Sequence, residues 1–375
     1  MLLGCRFRRM EFGGCTRKTE EKRSERGWLT MTINEIAKLA GVSNAAVSRY
    51  LNGGSLSEEK RNKIKTIIQK TGYVPSEYAR TLRTKKSFHV AVIVPNIKSG
   101  TAARIVSGIN SVLQEKNYHM VLADTDNDPV QELEYLEFFR SGQMDGMIYI
   151  ASSMTDRHRE ILKGYHVPVV VIGQMTSEFD CVYHDDFHAA KDMMNVLLEA
   201  GCRRPGLMTV PEEDQAVGAA RNHGVEAALR QRGYDPMSVP RVTAGFTLES
   251  GWGKMKELME QNPGIDGVFC ATDTLAVGAM MYLKDTGRQI PQEVKLCSVG
   301  NNQASDIVEP RLSTAHYHYR TSGVEAAKLL LARIEGKNQG PANQLMLGYQ
   351  VIPRGSTGTK DSIWTPRGLD KQAQG

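Results

Sequence analysis

Residues 32–52 read TINEIAKLAGVSNAAVSRYLN. Thr32 and Glu35 form a T-x-x-E capping box ahead of an apolar run, so two orphan donors at a helix start are satisfied reciprocally. Ile33, Ile36, Ala37 and Ala40 recur at helical spacing and make one apolar face. Gly41 ends that helix where a left-handed residue is cheapest. Ser43 supplies a second N-cap, and the helix from Asn44 to Leu51 turns Ala46, Val47 and Tyr50 or Leu51 inward. Two short helices across a tight Gly turn, with the small Ala37 at the crossing, predict a helix-turn-helix.

The outward residues of the second helix suit a base edge. An amide at Asn44 can read adenine, a guanidinium at Arg49 can read guanine, and Ala45 can touch a thymine methyl. Ser43 and Ser48 are small donors suited to phosphates. The competing interpretation is an ordinary helical hairpin with a solvated face. A third helix begins at Ser57, with Glu58 and Glu59 where the macrodipole favours them. Ile64, Ile67 and Ile68 give its apolar face, and Gly72 closes it. In the next stretch, YVPSEYARTLRTKKS (73–87), Pro75 restarts the chain and Ser76 caps two turns over 77–83. So short a helix is marginal in water and needs a surface or a second copy to form on.

The motifs T-I-x-E-I-A-x-L-A-G-V-S-x-x-x-V-S-R-x-L-N, S-x-E-x-R-x-K-I and G-Y-x-P-S-x-x-A-R-x-L resemble, at family spacing, the headpiece of the lactose-repressor (LacI/GalR) family over residues 32–86. The resemblance implies that the second helix enters the major groove and that the P-S-x-x-A-R-x-L segment is a hinge folding on the operator. Leu82 would wedge into the central minor-groove step beside Arg83, trading unstacking for a bent site with more contact. The implied DNA contacts are Thr32, Ser43, Asn44, Ala45, Ser48, Arg49, Asn52, Tyr73, Ser76, Ala79, Leu82 and Arg83. Asn44 and Ala45 depart from the lactose repressor itself, so its operator does not transfer.

Charge is unevenly placed along the 375 residues. Residues 31–87 hold 11 Lys plus Arg against 4 Asp plus Glu, and residues 1–30 hold 8 against 4. Residues 88–375 hold 28 against 34. A basic small domain joined to an acidic large one fits a nucleic-acid reader attached to something else. The six cysteines (5, 15, 181, 202, 270, 297) show no C-x-x-C pair and no metal spacing with His, and those of the body read as reduced core residues of a cytoplasmic protein. No apolar stretch is long enough to span a bilayer. Residues 1–30 lack an apolar h-region and any period, so disorder is expected there. Family members begin near Met31, which points to a misassigned start; a basic arm adding non-specific DNA affinity is the rival.

From Phe88 short apolar runs alternate with amphipathic helices: HVAVIVP (89–95), a helix over 102–116, YHMVLAD (118–124), a helix over 129–142, DGMIYIA, a helix over 157–164, and VPVVVIG. After CVYHDD a second series follows, with helices over 187–200, 216–233, 247–261 and 273–286 between strands near 205–210, 239–244, GVFCAT and VKLCSV. Two such sets predict two doubly wound parallel-sheet lobes with a cleft between them, at the carboxyl ends of the strands. The region has no G-x-G-x-x-G, P-loop or G-x-S-x-G, so a nucleotide enzyme or serine hydrolase lacks its motif.

This body is similar to the family's periplasmic-binding-protein-like core through V-P-V-V-V-I-G, V-Y-H-D-D, A-R-N-H-G-V-E-A-A-L, F-C-A-T-D-T-L-A-V-G-A, I-P-Q-E-V-K-L-C-S-V-G and P-R-L-S-T. The F-C-A-T-D-T-L-A-V-G-A segment looks like trehalose-type repressors and G-G-S-L-S-E-E like sucrose-operon ones. The resemblance makes Arg221 an effector ligand, its guanidinium fork matching two hydroxyls or a phosphate. Thr272 falls at a ligand-contacting family position, with Asp273 beside it expected first to N-cap the following helix. Asn302 replaces a family carboxylate, and Phe246 and Tyr319 match aromatic positions. In the first lobe Lys98, Ser99, Asn127 and Gln174 follow strand ends; Gln174 is uncharged where relatives place a charge. His316 and His318 share a strand face without carboxylate partners, so no metal and no cofactor is expected.

The expected architecture is therefore a leader (1–30), an all-α helix-turn-helix domain (31–75), a hinge helix and linker (76–87), a two-lobed effector and dimerisation core (88–353) and a disordered tail (354–375). With no leucine heptads in the tail, a homodimer is expected rather than a tetramer. The expected function is a transcriptional repressor of a carbohydrate operon, not an enzyme. A disaccharide or sugar phosphate would release it from a pseudopalindromic operator. The alternatives are catabolite-control regulation through a phosphocarrier protein, a co-repressor or activator mode, and a transport-type receptor, which lacks its export signal.

Overall fold

The structure, a computed structural model, describes residues 31–51, 53–73 and 86–359. Two compact units divide at Lys85/Lys86.

In the first unit α1 (Ile33–Ala40), α2 (Asn44–Leu51) and α3 (Glu58–Thr71) surround a small core. The capping box forms as expected: Glu35 N–H donates to Thr32 Oγ1 at 3.3 Å and Thr32 N–H to Glu35 Oε2 at 2.7 Å. Gly41 adopts φ 63°, the left-handed conformation that lets the chain turn directly into α2. Ile36, Ala37, Ala40, Ala46, Val47, Ile64 and Tyr73 are buried. Asn52, Ser76, Ala79, Leu82 and Arg83, and with them the hinge, lie outside the described residues, as do the leader and residues 360–375.

The second unit holds two six-stranded sheets. The first lobe carries β1 (His89–Val94), α4 (Gly100–Glu115), β2 (His119–Asp124), α5 (Pro129–Ser141), β3 (Gly146–Ile150), α6 (Asp156–Lys163), β4 (Val169–Ile172) and β5 (Asp180–His184). The second carries α7 (Asp186–Glu199), β6 (Pro205–Thr209), α8 (Arg221–Gln231), β7 (Arg241–Thr243) and α9 (Leu248–Gln261). It continues with β8 (Gly267–Cys270), α10 (Asp273–Asp285), β9 (Lys295–Gly300), α11 (Gln303–Ile307) and β10 (Ser313–Tyr317). The chain then returns to the first lobe as α12 (Tyr319–Ile334) and β11 (Gln344–Leu347), and to the second as β12 (Tyr349–Ile352).

The strand orders are β11-β5-β4-β3-β1-β2 and β12-β10-β9-β8-β6-β7. Both faces of each sheet are covered at its centre, so the central strands β1, β3, β4, β8 and β9 are buried nearly throughout, while the edge strands β7 and β11 alternate. Val90, Val92 and Val94 pack with Ile105, Ile109 and Leu330 on one side, while Ala91 and Ile93 pack with Leu136, Phe139 and Ile161 on the other. The helices α4 and α12 cross so closely that only glycine fits. A Cβ on Gly323 would stand 2.1 Å from the Ile105 carbonyl oxygen, and one on Gly108 2.1 Å from that of Arg320. Gly323→Ala is expected to lower stability by about 1–3 kcal/mol through overpacking, read as a shifted urea midpoint.

Three expectations need correction. The second sheet is mixed, because β12 runs antiparallel to β10; the chain runs from β11 of the first sheet through the single residue Gly348 directly into β12 of the second. The tail does not begin at 354. A 3-10 turn over Gly355–Thr357 buries Ser356 and Thr357, and Ser313 N–H donates to Ser356 Oγ at 2.8 Å. The helix expected over 216–233 is split: a π-helical turn, Gln215–Ala220, precedes α8. Cys181, Cys202, Cys270 and Cys297 are free and buried, as expected of core thiols.

Candidate nucleic-acid interface and ligand cleft

On the first unit, the turn before α2 and its outer face leave Ser43, Asn44, Ala45 and Arg49 exposed and Ser48 half-buried. Ser43 caps α2, its Oγ accepting from Ala46 N–H at 3.3 Å. The Asn44 amide donates to Asn34 Oδ1 across to α1. Thr32 is exposed, but its hydroxyl belongs to the capping box. Tyr73 departs from the expected DNA-contacting set: its ring is 8% exposed and packs in the head's core, and burial raises its phenol pKa. The apolar demand of a three-helix core outweighs its polar tip here.

In the second unit the chain passes between lobes three times, after β5, β10 and β11. Aromatic and charged side chains gather at the first two passages. The His184 ring stacks on Tyr317 with centroids 4.5 Å apart and meets the Tyr319 edge at 5.1 Å. Arg221 of the second lobe lies 5.4 Å from the Tyr317 ring, and Arg104 of the first lobe 4.7 Å from the Tyr319 ring. Arg221 Nε donates to Asp186 Oδ1 at 2.7 Å, and its Nη1 donates to the Ala271 carbonyl. Tyr317 OH donates to the same Asp186 oxygen at 2.9 Å. Burial pulls the His184 pKa down to about 4, so its ring is neutral at neutral pH.

Two bridges join the lobes beside this cluster. Arg104 Nη1 donates to the Asn301 carbonyl at 3.3 Å. Gln174 Nε2 donates to Asp214 Oδ1 at 3.3 Å and to the Ser152 carbonyl at 3.0 Å. Asp214 caps the π-helical turn through Ala216 N–H and Val217 N–H, and burial raises its carboxyl pKa. That turn leads straight into Arg221, and a Cβ on Gly218 within it would stand 2.1 Å from the Pro211 carbonyl oxygen. The irregular turn thus sets the direction in which Arg221 leaves the helix start.

The remaining expected ligand residues divide sharply. Arg221, Tyr319 and Gln174 are buried in or beside the cluster. Asp273 is not an N-cap. Thr272 caps α10, accepting from Leu275 N–H, and Asp273 is a buried hub. Its carboxylate accepts from Ser298 Oγ and Thr314 Oγ1 at 2.6 Å each, Asn302 N–H at 2.5 Å and Ser305 Oγ at 3.1 Å. Asn302 caps α11 by accepting from Ser305 N–H. Lys98 is exposed, 3.6 Å from Asp126, and Asn127 is exposed with φ 61°. Ser99 precedes α4 without a side-chain cap bond, and Phe246 is 43% exposed beyond β7. Asp186, Tyr317 and Arg104 join the same cluster without having been expected there, and His184 was expected only near a crossover strand. The signal was present: V-Y-H-D-D and H-Y-H-Y each put polar aromatics directly after a buried run.

Among the described residues no helix is long and apolar enough to cross a membrane. Residues 32–76 match the model of bacterial regulatory proteins of the lacI family, and residues 194–357 match a periplasmic binding protein-like domain. The sucrose operon repressor of Staphylococcus xylosus is 29% identical over 81% of this chain and 93% of its own. Catabolite control protein A of Priestia megaterium is 28% identical over 88% of this chain and 100% of its own. Among solved structures, the transcriptional regulator CelR in complex with cellobiose is 27% identical with a TM-score of 0.66, over 87% of this chain and 99% of its own. The lac repressor dimer on its operator, 18% identical over the same shares, has a TM-score of 0.79 and so shares the fold. With a helix-turn-helix head and a two-lobed binding-protein-like core on one chain, this protein belongs to the lacI family of DNA-binding transcription regulators.

Proposed function

We propose that the chain is a sugar-responsive repressor of a carbohydrate operon. The observation that carries this reading is the pairing of an exposed α2 face on a basic head with a cluster of buried aromatic and charged side chains where the chain passes between lobes. A ligand held there touches both lobes and the segments that join them. It shifts the balance between lobe arrangements by its different affinity for each. The cellobiose complex of the CelR relative supports a carbohydrate as that ligand.

Two heads of a homodimer then occupy half-sites of a pseudopalindrome, with half-site spacing set by the two-fold axis. Asn44, Ala45 and Arg49 face base edges, Ser43 and Ser48 face phosphates, and the 76–83 hinge with Leu82 sits at the central step. Sugar binding weakens this grip. Arg49→Ala is expected to lower operator affinity by about 1–3 kcal/mol while leaving affinity for random duplex nearly unchanged. Fluorescence anisotropy with both duplexes checks it, and an equal loss on both reduces Arg49 to a phosphate contact.

A second reading, control through a phosphocarrier protein, is favoured by the similarity to catabolite control protein A over that relative's whole length. Operator binding measured with sugar alone and with the phosphocarrier alone separates the two.

A further inference from the structure

The cleft's own charges bear on which carbohydrate it takes, given the sugar-sensing reading above. Arg221 is 4% exposed and already committed to Asp186, itself 7% exposed. A phosphate that took the guanidinium would leave the Asp186 carboxylate buried with the Tyr317 hydroxyl alone, an uncompensated charge of the costliest kind. The other guanidinium, Arg104, is held to the Asn301 carbonyl and the Tyr319 face. Asp214 and Asp273 stand close by, so the carboxyl groups around the cluster outnumber its guanidiniums. Gln174 is neutral, and Lys98 sits exposed beside Asp126.

One ring nitrogen in this cluster stands out. His184 Nε2 is buried and has no hydrogen-bond partner among the described residues. A buried ring nitrogen without a partner is rare enough to require an explanation. It lies against two tyrosine rings, stacked on Tyr317 and meeting the edge of Tyr319.

We propose that the cleft takes an uncharged carbohydrate in preference to its phosphorylated form, with His184 Nε2 hydrogen-bonding one of its hydroxyls. Entry parts the Arg104–Asn301 and Gln174–Asp214 bridges and leaves the Arg221–Asp186 pair intact. A neutral hydroxyl completes His184 without adding charge; a phosphate dianion adds two charges to a group already carrying carboxylates.

The test is calorimetry on the full chain with matched pairs: sucrose and sucrose 6-phosphate, trehalose and trehalose 6-phosphate, cellobiose and cellobiose 6-phosphate. The expected result is that one neutral disaccharide binds and its phosphate binds at least about tenfold more weakly, because its charge enters beside buried carboxylates without a free cation among the described residues of the cluster to pair it. A phosphate that binds more tightly than its parent overturns this inference and leaves the sugar sensor standing. No binding by either member of any pair overturns both. For the binding sugar, His184→Phe should weaken affinity about three- to tenfold, one neutral hydrogen bond, and His184→Gln should restore part of it. Operator binding without sugar shows that each variant is folded. Unchanged sugar affinity in a folded His184→Phe protein removes His184 from the site.

Discussion

Replacing Asp186 by Ala is expected to lower the stability of the two-lobed core by about 3–5 kcal/mol, because it strands the buried Arg221 guanidinium. The two side chains are 4% and 7% exposed, and the pair is 2.7 Å apart. Asp186 also takes the Tyr317 hydroxyl, so the variant breaks contacts from α8 and β10 together. Urea unfolding of the full chain measures the loss as a midpoint shift at constant slope. The paired change Asp186→Leu with Arg221→Leu removes both charges and should recover most of the loss, since a buried pair contributes little over apolar residues of similar volume. If the single variant unfolds with the parent midpoint, Arg221 is solvated and the closed cluster is not the resting arrangement.

The second large effect belongs to Asp180, at the start of β5. Its carboxylate receives Arg333 Nε at 2.7 Å and Arg333 Nη2 at 2.8 Å, a two-pronged clamp from the end of α12. Asn343 adds its backbone N–H at 2.6 Å and its side-chain amide at 3.0 Å. One carboxylate therefore ties β5, α12 and the approach to β11, elements that the chain reaches far apart. Burial pulls its pKa up, but the Arg333 and Asn343 hydrogen bonds outweigh that and hold it below the usual carboxylate value. A depressed folded-state pKa contributes stability that is fully present above the unfolded value and lost as pH falls through the folded one. Asp180→Ala should thus cost about 3 kcal/mol or more at neutral pH. The gap to the parent should close as pH falls below about 4, the ordinary carboxylate range. Denaturation at a series of pH values checks both the size and the sign; a gap that widens in acid contradicts the assignment.

The head could be read from the chain almost completely, because its signals are local. A capping box, a left-handed glycine and apolar residues three and four apart determine α1, the turn and α2 without reference to distant residues. The paired β and α runs of the core were equally legible up to Tyr317. What the pattern could not contain was membership. Nothing in GVEAAKLLL says that α12 packs on the first lobe after β10 has closed the second. Nor does the run before Ile352 announce an antiparallel edge. Those choices are made by contacts such as Gly323 against Ile105 and Asp180 against Arg333, across long stretches of chain.

Site residues divide in the same way. Arg221 and Tyr319 were found because a motif marks them. Asp273 looked like a helix cap, because a strand end followed by Asp reads so locally; its four donors come from β9, β10 and the start of α11. Tyr73, placed among the DNA contacts by resemblance, packs in the head's core. Asp186 and His184 stood in view, in V-Y-H-D-D, but their meaning depends on Arg221 and Tyr317, which meet them only in the fold.

The central claim is that the head reads DNA and that the cleft governs how tightly it does so. Selection of duplexes from a randomised palindromic pool by the full chain at moderate salt, followed by anisotropy on the selected sequence with and without the sugars above, tests it most directly. The account predicts a two-fold symmetric consensus bound well above random competitor, and an affinity that one sugar lowers. Recovery of no palindrome, with equal binding to selected and random duplexes, would contradict it.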